Sequence, residues 1–375
     1  MNTLRIGMVG YGKMGRAHSQ AWLTAPRFFD HDTQPVLAAI CGRDGDAAKR
    51  VAGTFGWQSV ETDWRALVER DDIDLIDVCT SNDLHSEISL AAIRNGKHVV
   101  CEKPLALDAT LARQMLAEAI DAGVRHTVVF NYRFVPAVRL AKQLVEAGEL
   151  GELYQFVGSF QQDWLATPDF AMTWRLRREA AGSGALGDLG AHIVDMGRFL
   201  IGEIERVAGA THTFVPTRKN ALGEDESVTV DDAFEALVRF RGGVSGMLQA
   251  SRVASGQKTR NRFEIYGSKG GIQFDFQRMN ELRFFSAEDR AEVRGFRTIP
   301  TTVPGAQPYA DRWWGAGHPI GFEHTFTHLV DELLTAFDED RVPSPSFADG
   351  AACQDVLDAI ERSAREERWV DVAAS

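Results

Sequence analysis

Apolar and polar residues change their period about one third of the way along the chain. In the first part, short apolar runs are separated by stretches of helical periodicity. Residues 4–9 (LRIGMV) form the first run, a glycine-rich turn follows, and residues 16–25 suit a helix that Pro26 is expected to close. Residues 36–41, 75–79, 97–101 and 127–130 read as further apolar strands. Between them, helices are expected over 47–55, 64–70 and 86–95, with Gly56 and Gly96 just past two of their ends. Strands that are apolar on both faces and alternate with helices predict a parallel, doubly wound sheet.

Further on, the period becomes two. Phe234, Ala236, Val238 and Phe240 alternate with Glu235, Arg239 and Arg241, and Leu237 breaks the pattern. Phe263 and Ile265 alternate with Arg262 and Glu264, and Ile272, Phe274 and Phe276 with Gln273, Asp275 and Gln277. Gly242-Gly243 and residues 268–271 (SKGG) supply hairpin turns. This pattern predicts a large, open, mainly antiparallel sheet with helices on one face. One of those helices is marked by Phe326, Leu329, Val330, Leu333, Leu334 and Phe337, and another covers about 350–365. The fold class is therefore α/β, with a doubly wound domain over 1–127 and an α+β domain over 128–375. An open sheet face points to a homodimer or homotetramer.

Candidate chemistry begins at Gly10-Tyr11-Gly12-Lys13-Met14-Gly15, a complete GxGxxG between a strand and a helix. Gly10 permits the turn, Gly12 lets a pyrophosphate approach, and Gly15 lets the helix pack closely. This is the Rossmann dinucleotide fingerprint, and in such sheets ligands lie beyond the carboxyl ends of the strands. That rule singles out Gly42, Arg43 and Asp44, then Thr80, Ser81, Asn82 and His85, then Glu102, Lys103 and Pro104. Gly42 and Arg43 favour NADP while Asp44 allows NAD, so either cofactor stays open. Asp188 and His192, four apart beside a glycine-rich stretch, would share a helix face. Read alone, they could equally be a surface pair, and Lys103 a surface lysine before a turn.

The chain has 375 residues and a net charge of −12, which excludes the basic footprint of a nucleic-acid protein. No run approaches the roughly 20 apolar residues of a membrane span, and the N-terminus shows no secretory signal. Cys41, Cys79, Cys101 and Cys353 lie far apart and suit buried thiols in a reducing cytoplasm. His324 and His328 are four apart without the HExxH pattern, so no metal site is expected; His328 fits a helix surface and His324 a pocket wall. Trp164, Trp174, Arg175 and the Trp313-Trp314 pair lie in loops where aromatics could stack on a sugar ring or simply pack.

The glycine turn, Thr80-Ser81-Asn82 with His85, Glu102-Lys103-Pro104, Asn131-Tyr132-Arg133 and residues 187–192 (GDLGAH) together resemble the glucose–fructose oxidoreductase / inositol dehydrogenase (Gfo/Idh/MocA) family. The resemblance covers most of the chain, and its motifs occur in the family's order. Ser81, where the family often has proline, and Gly42, where NAD-preferring members often have an acid, depart from it.

The resemblance implies an NAD(P)-dependent dehydrogenase acting on a secondary alcohol of a sugar or cyclic polyol. His192 would be the general base, Lys103 would stabilise the developing alkoxide, and Asp188 would hold a neighbouring hydroxyl. Glu102 would position the nicotinamide ribose, while Asn82, His85 and Asn131 would line the cofactor pocket. Arg133, Trp164, Trp174, Arg175 and His324 are candidates on the substrate side. Residues 16–19 (RAHS), 182–188 and 317–321 with His324 look closest to members acting on inositols and anhydrosugars. Three rivals are an NAD-assisted glycoside hydrolase, an NADPH-driven reductase and a non-catalytic dinucleotide sensor.

Overall fold

Six strands build the first sheet in the computed structural model, which describes residues 2–307 and 309–373. They are β1 (Asn2–Val9), β2 (Thr33–Cys41), β3 (Ser59–Glu61), β4 (Leu75–Val78), β5 (His98–Cys101) and β6 (His126–Val128). All neighbours pair in parallel, in the order β3-β2-β1-β4-β5-β6. Strand order reverses between β1 and β4, which puts the ligand crevice of such sheets at their carboxyl ends. Ile6, Met8, Ile76, Val78, Val99 and Val100 are buried, as both faces of a parallel sheet require.

The helix after β1 runs Lys13–Phe28 and does not stop at Pro26. The Phe29 N–H still donates to the Ala25 carbonyl at 2.9 Å, so the proline removes only its own hydrogen bond from the last turn. The helix Gly45–Phe55 starts on an Asp44 cap and ends on Gly56 at φ 80°.

The chain forms two compact units, one of residues 1–134 with 321–352 and one of 135–320 with 353–375. This differs from a single cut at 127/128. The helix Phe322–Asp338 packs on the helix Lys13–Phe28 and buries Phe326, Leu329, Leu333 and Leu334. Its Asp338 carboxylate accepts the Asp32 and Thr33 N–H groups at 3.1 and 2.9 Å. Amphipathic spacing revealed the buried face of this helix but not what covers it.

In the same unit, the Phe347 N–H donates to Nδ1 of buried His126 at 3.1 Å, a bond only the neutral ring can accept. Burial lowers the His126 pKa to about 4 from 6.5. Between those values the unfolded chain binds the proton and the folded chain does not, so stability falls as pH drops through the window. Above it both rings are neutral, and below it both are charged. His126→Asn supplies an oxygen acceptor that does not titrate. Wild type is expected to lose up to about 3 kcal/mol more than this variant between those pH values. Coincident acid-unfolding profiles would contradict this.

The second unit holds a nine-stranded sheet. Its strands are β7 (Leu153–Gln161), β8 (Ile204–His212), β11 (Ala233–Phe240), β12 (Ser245–Ser251), β13 (Arg260–Gly267), β14 (Gly270–Asp275), β15 (Glu281–Ser286), β16 (Arg297–Pro300) and β17 (Val370–Asp371). β9 (Thr217–Lys219) and β10 (Asp225–Ser227) form a separate ribbon. The order is β16-β15-β14-β13-β7-β12-β11-β8-β17, antiparallel throughout except for the parallel β7/β12 pair. The sheet is thus mixed, with the expected antiparallel character dominant.

Phe156, Phe234, Phe240, Phe263 and Ile265 fill the covered face. The helix Ala191–Leu200 approaches it closely because a Cβ on Gly190 would lie 2.7 Å from the Phe234 ring, and one on Gly197 3.2 Å from Phe156. On the opposite face, Leu237, which broke the alternation, is exposed and pairs with exposed Met247, which pairs with Val157. All four cysteines are free. Among the described residues, no helix is long and apolar enough to cross a membrane.

Candidate active site

The glycine turn has the shape a pyrophosphate needs. Gly10 sits at φ 107°, and a Cβ there would lie 2.4 Å from the Cys79 carbonyl oxygen. A Cβ on Gly15 would lie 2.1 Å from the Gly10 oxygen, whereas one on Gly12 would meet nothing within 4 Å. No side chain caps the following helix and no acid occupies its first turn, so its N-terminal N–H groups are available to an anion.

A Cβ on Gly42 would lie 1.9 Å from the Tyr11 ring, so a side chain there would require that ring to move. Arg43 is exposed. Asp44 Oδ1 accepts the Ala47 and Asp46 N–H groups, both at 3.0 Å, and these bonds hold its carboxyl below the ordinary value.

The second element is the turn after β5. Glu102 is buried; its Oε2 accepts the Lys103 N–H at 3.0 Å and its Oε1 lies 3.0 Å from His18 Nε2. Lys103, at the carboxyl end of the strand, is partly exposed. His85 is buried, and its Nδ1 donates to the Pro104 carbonyl at 2.8 Å. Burial lowers its pKa. Thr80 Oγ1 donates to the Ser81 carbonyl at 3.2 Å, and buried Asn82 opens the turn Asn82–Leu84.

Other candidates in this unit have protein partners. Asn131 Nδ2 donates to Thr325 Oγ1 at 2.8 Å, and buried Arg133 donates to Asp349 at 2.9 Å. His324 Nδ1 accepts the Gly321 N–H at 3.1 Å. His328, expected on a helix surface, is instead fully buried, with Nδ1 donating to the Phe134 carbonyl at 2.9 Å. The helix is sandwiched at that position rather than open to solvent.

The third element lies in the other unit. Residues Leu186–Gly190 wind as a π turn that leads into the helix Ala191–Leu200, so Asp188 and His192 do not share regular α-helical spacing. Asp231 holds the start of this segment. Its carboxylate oxygens accept the Gly184 N–H at 2.7 Å and the Leu186 N–H at 2.8 Å, and its carbonyl accepts the Ala185 N–H at 3.1 Å. A Cβ on Gly184 would lie 1.7 Å from that carbonyl oxygen, so the approach needs glycine.

Arg252, 1% exposed, donates to the same carbonyl at 2.8 Å and places a second nitrogen 4.0 Å from Asp188 Oδ2. Burial depresses the Arg252 pKa, with Asp188 and Asp231 opposing it. His192 is buried, with its ring 5.9 Å from that of Phe160. Trp164 packs edge-on against Phe170 at 5.2 Å beside a small apolar cluster. The Arg175 guanidinium stacks 4.3 Å from the Trp174 ring.

Sequence reading missed the supports: His18, Asp77, Asp231 and Arg252. One signal was available, because Asp77 interrupts the run read as an apolar strand and is fully buried there. A buried carboxylate needs partners. His18, Asp77 and Cys79 bring possible metal-ligand atoms within 4.8 Å of one another. Both His18 ring nitrogens, however, already face carboxylate oxygens.

Comparison with known proteins gives a family for both parts of the chain. Residues 4–130 match the family model described as "Oxidoreductase family, NAD-binding Rossmann fold", and 138–273 match the "GFO/IDH/MocA C-terminal domain". A levoglucosan dehydrogenase from Pseudarthrobacter phenanthrenivorans is 38% identical over 99% of both chains. The crystal structure of an oxidoreductase domain protein from Kribbella flavida is 48% identical, with TM-score 0.96 over 100% of both chains. A levoglucosan dehydrogenase in complex with NADH and L-sorbose is 39% identical, with TM-score 0.97 over 100% of both chains. The chain belongs to the GFO/IDH/MocA family of oxidoreductases, whose N-terminal domain is an NAD-binding Rossmann fold.

Proposed function

We propose that this enzyme oxidises a secondary hydroxyl of an anhydrosugar, with a cyclic polyol as the next candidate. Bound NAD supplies the hydride acceptor. The observations that carry the reading are Lys103, whose N–H is held by buried Glu102 beside an open glycine cradle in one unit, and the Asp188 and His192 segment anchored by buried Asp231 in the other. The anhydrosugar preference rests on the name of the 38% identical relative, aligned over 99% of both chains.

Each residue then has a task. His192 takes the hydroxyl proton, which suits an imidazole near neutral pH. Lys103 donates to the same oxygen and stabilises its developing charge. Asp188 accepts from a neighbouring hydroxyl, and Trp174 with Arg175 flanks the sugar. Gly10, Gly12 and Gly15 would hold the pyrophosphate, with Asn82 and Asp44 on the remaining cofactor groups. Formation of NADH from levoglucosan, set against inositols and aldoses, tests the reading.

The row of exposed Leu237 and Met247 with half-buried Val157 is read as the contact with a second copy of the chain, flanked by Glu235 and Arg239. Light scattering is expected to give the mass of a dimer or tetramer, and a single-chain mass would contradict it.

A further inference from the structure

His18 lies on the helix that follows the glycine turn and is 4% exposed. Its Nδ1 is 2.9 Å from Asp77 Oδ1, and its Nε2 is 3.0 Å from Glu102 Oε1. Carboxylate oxygens only accept, so both bonds form together only when both ring nitrogens carry protons. Asp77 is fixed in turn by the Trp22 indole N–H at 2.8 Å. The Cys79 thiol lies 3.2 Å from Nδ1, and the Phe326 ring closes the other side at 5.5 Å. The space left beside the ring is about 10 Å³, too small for a ligand.

From this geometry we infer that His18, as an imidazolium bridging Asp77 on β4 and Glu102 after β5, is the positioning residue for Lys103. The bridge holds the Glu102 carboxylate so that its other oxygen accepts the Lys103 N–H at 3.0 Å. It thereby sets where the lysine leaves the sheet. The protonation state agrees: burial works against the charge, but Asp77 and Cys79 outweigh it and raise the His18 pKa well above its ordinary value. His85 holds the turn from the far side through the Pro104 carbonyl. The lysine backbone is therefore held on both flanks, with the charged clamp on one side only.

This inference rests on the proposed role of Lys103, and two readouts separate the two claims. The first is the Lys103 amide resonance in protein labelled with 15N-lysine, which needs no activity. It is expected to move in His18→Gln, because the Glu102 acceptor loses its anchor. An unmoved resonance overturns the inference whatever the enzyme does. The second is a double-mutant cycle. His18→Gln is expected to lower kcat by about 10-fold or more with KM for NAD nearly unchanged, and by less than about twofold in a Lys103→Met background. Equal losses in both backgrounds would mean a general structural role and overturn it. An inactive wild type would instead count against the dehydrogenase reading alone. Should His18→Gln not fold, Asp77→Asn, which keeps the residue's shape and removes the charge facing His18 Nδ1, is read in the same two ways.

Discussion

His192→Ala is expected to lower kcat by a factor of about 10² or more while leaving NAD binding intact. The imidazole is buried against Phe160 and sits at the head of a helix rather than on a loop, so its position is set by packing. On the proposed role, removing it would take away the acceptor for the hydroxyl proton and leave water or hydroxide to do that work. The glycine turn belongs to the other compact unit and shares no residue with this helix, so the cofactor dissociation constant should move little. Kinetics with a saturating sugar, together with fluorescence titration of NADH, reads both quantities. An unchanged kcat would remove His192 from the mechanism.

The second large effect is expected at Asp231. Its carboxylate satisfies two N–H groups at the start of the Asp188–His192 segment, and its carbonyl holds a third N–H together with Arg252. Asp231→Ala would leave the Gly184 and Leu186 N–H groups unsatisfied in the interior, at about 1–3 kcal/mol each. Relaxation is restricted because the Gly184 backbone already touches the 231 carbonyl. The unit should lose roughly 2–5 kcal/mol, which corresponds to about 5–15 °C in Tm. The variant's kcat should also fall, since Asp188 and His192 ride on the loosened segment. A Tm within error of wild type together with an unchanged kcat would show that this anchor holds nothing that matters.

Both effects depend on residues that differ in how well the sequence displayed them. The glycine turn and the Glu102-Lys103-Pro104 turn were legible because each is a local pattern with a local cause, whereas the four-residue Asp188/His192 spacing did not reveal the π turn at 186–190. Strand periodicity likewise exposed the two sheets, since burial alternates with the pleat. Partners distant in the chain were not legible. His18 meets Glu102 across 84 residues, and Gly184 meets Asp231 across 47. No period links such positions. The helix Phe322–Asp338 showed the same limit, because its apolar face was plain but its return to the first unit was not. Gly42 is the reverse case. Its departure was visible in the sequence, but the Tyr11 ring packed beside it was not.

This enzyme is expected to move a hydride from the carbon that bears a sugar hydroxyl to NAD, while the hydroxyl proton goes to the protein. Absorbance of NADH should be followed with purified protein and either NAD or NADP. The substrates are levoglucosan, myo-inositol, scyllo-inositol, glucose, xylose and a glycoside. Steady growth with NAD and levoglucosan, in proportion to enzyme, is the expected result. Release of free sugar from the glycoside with no net NADH, or no reaction in any well despite bound cofactor, would contradict the account.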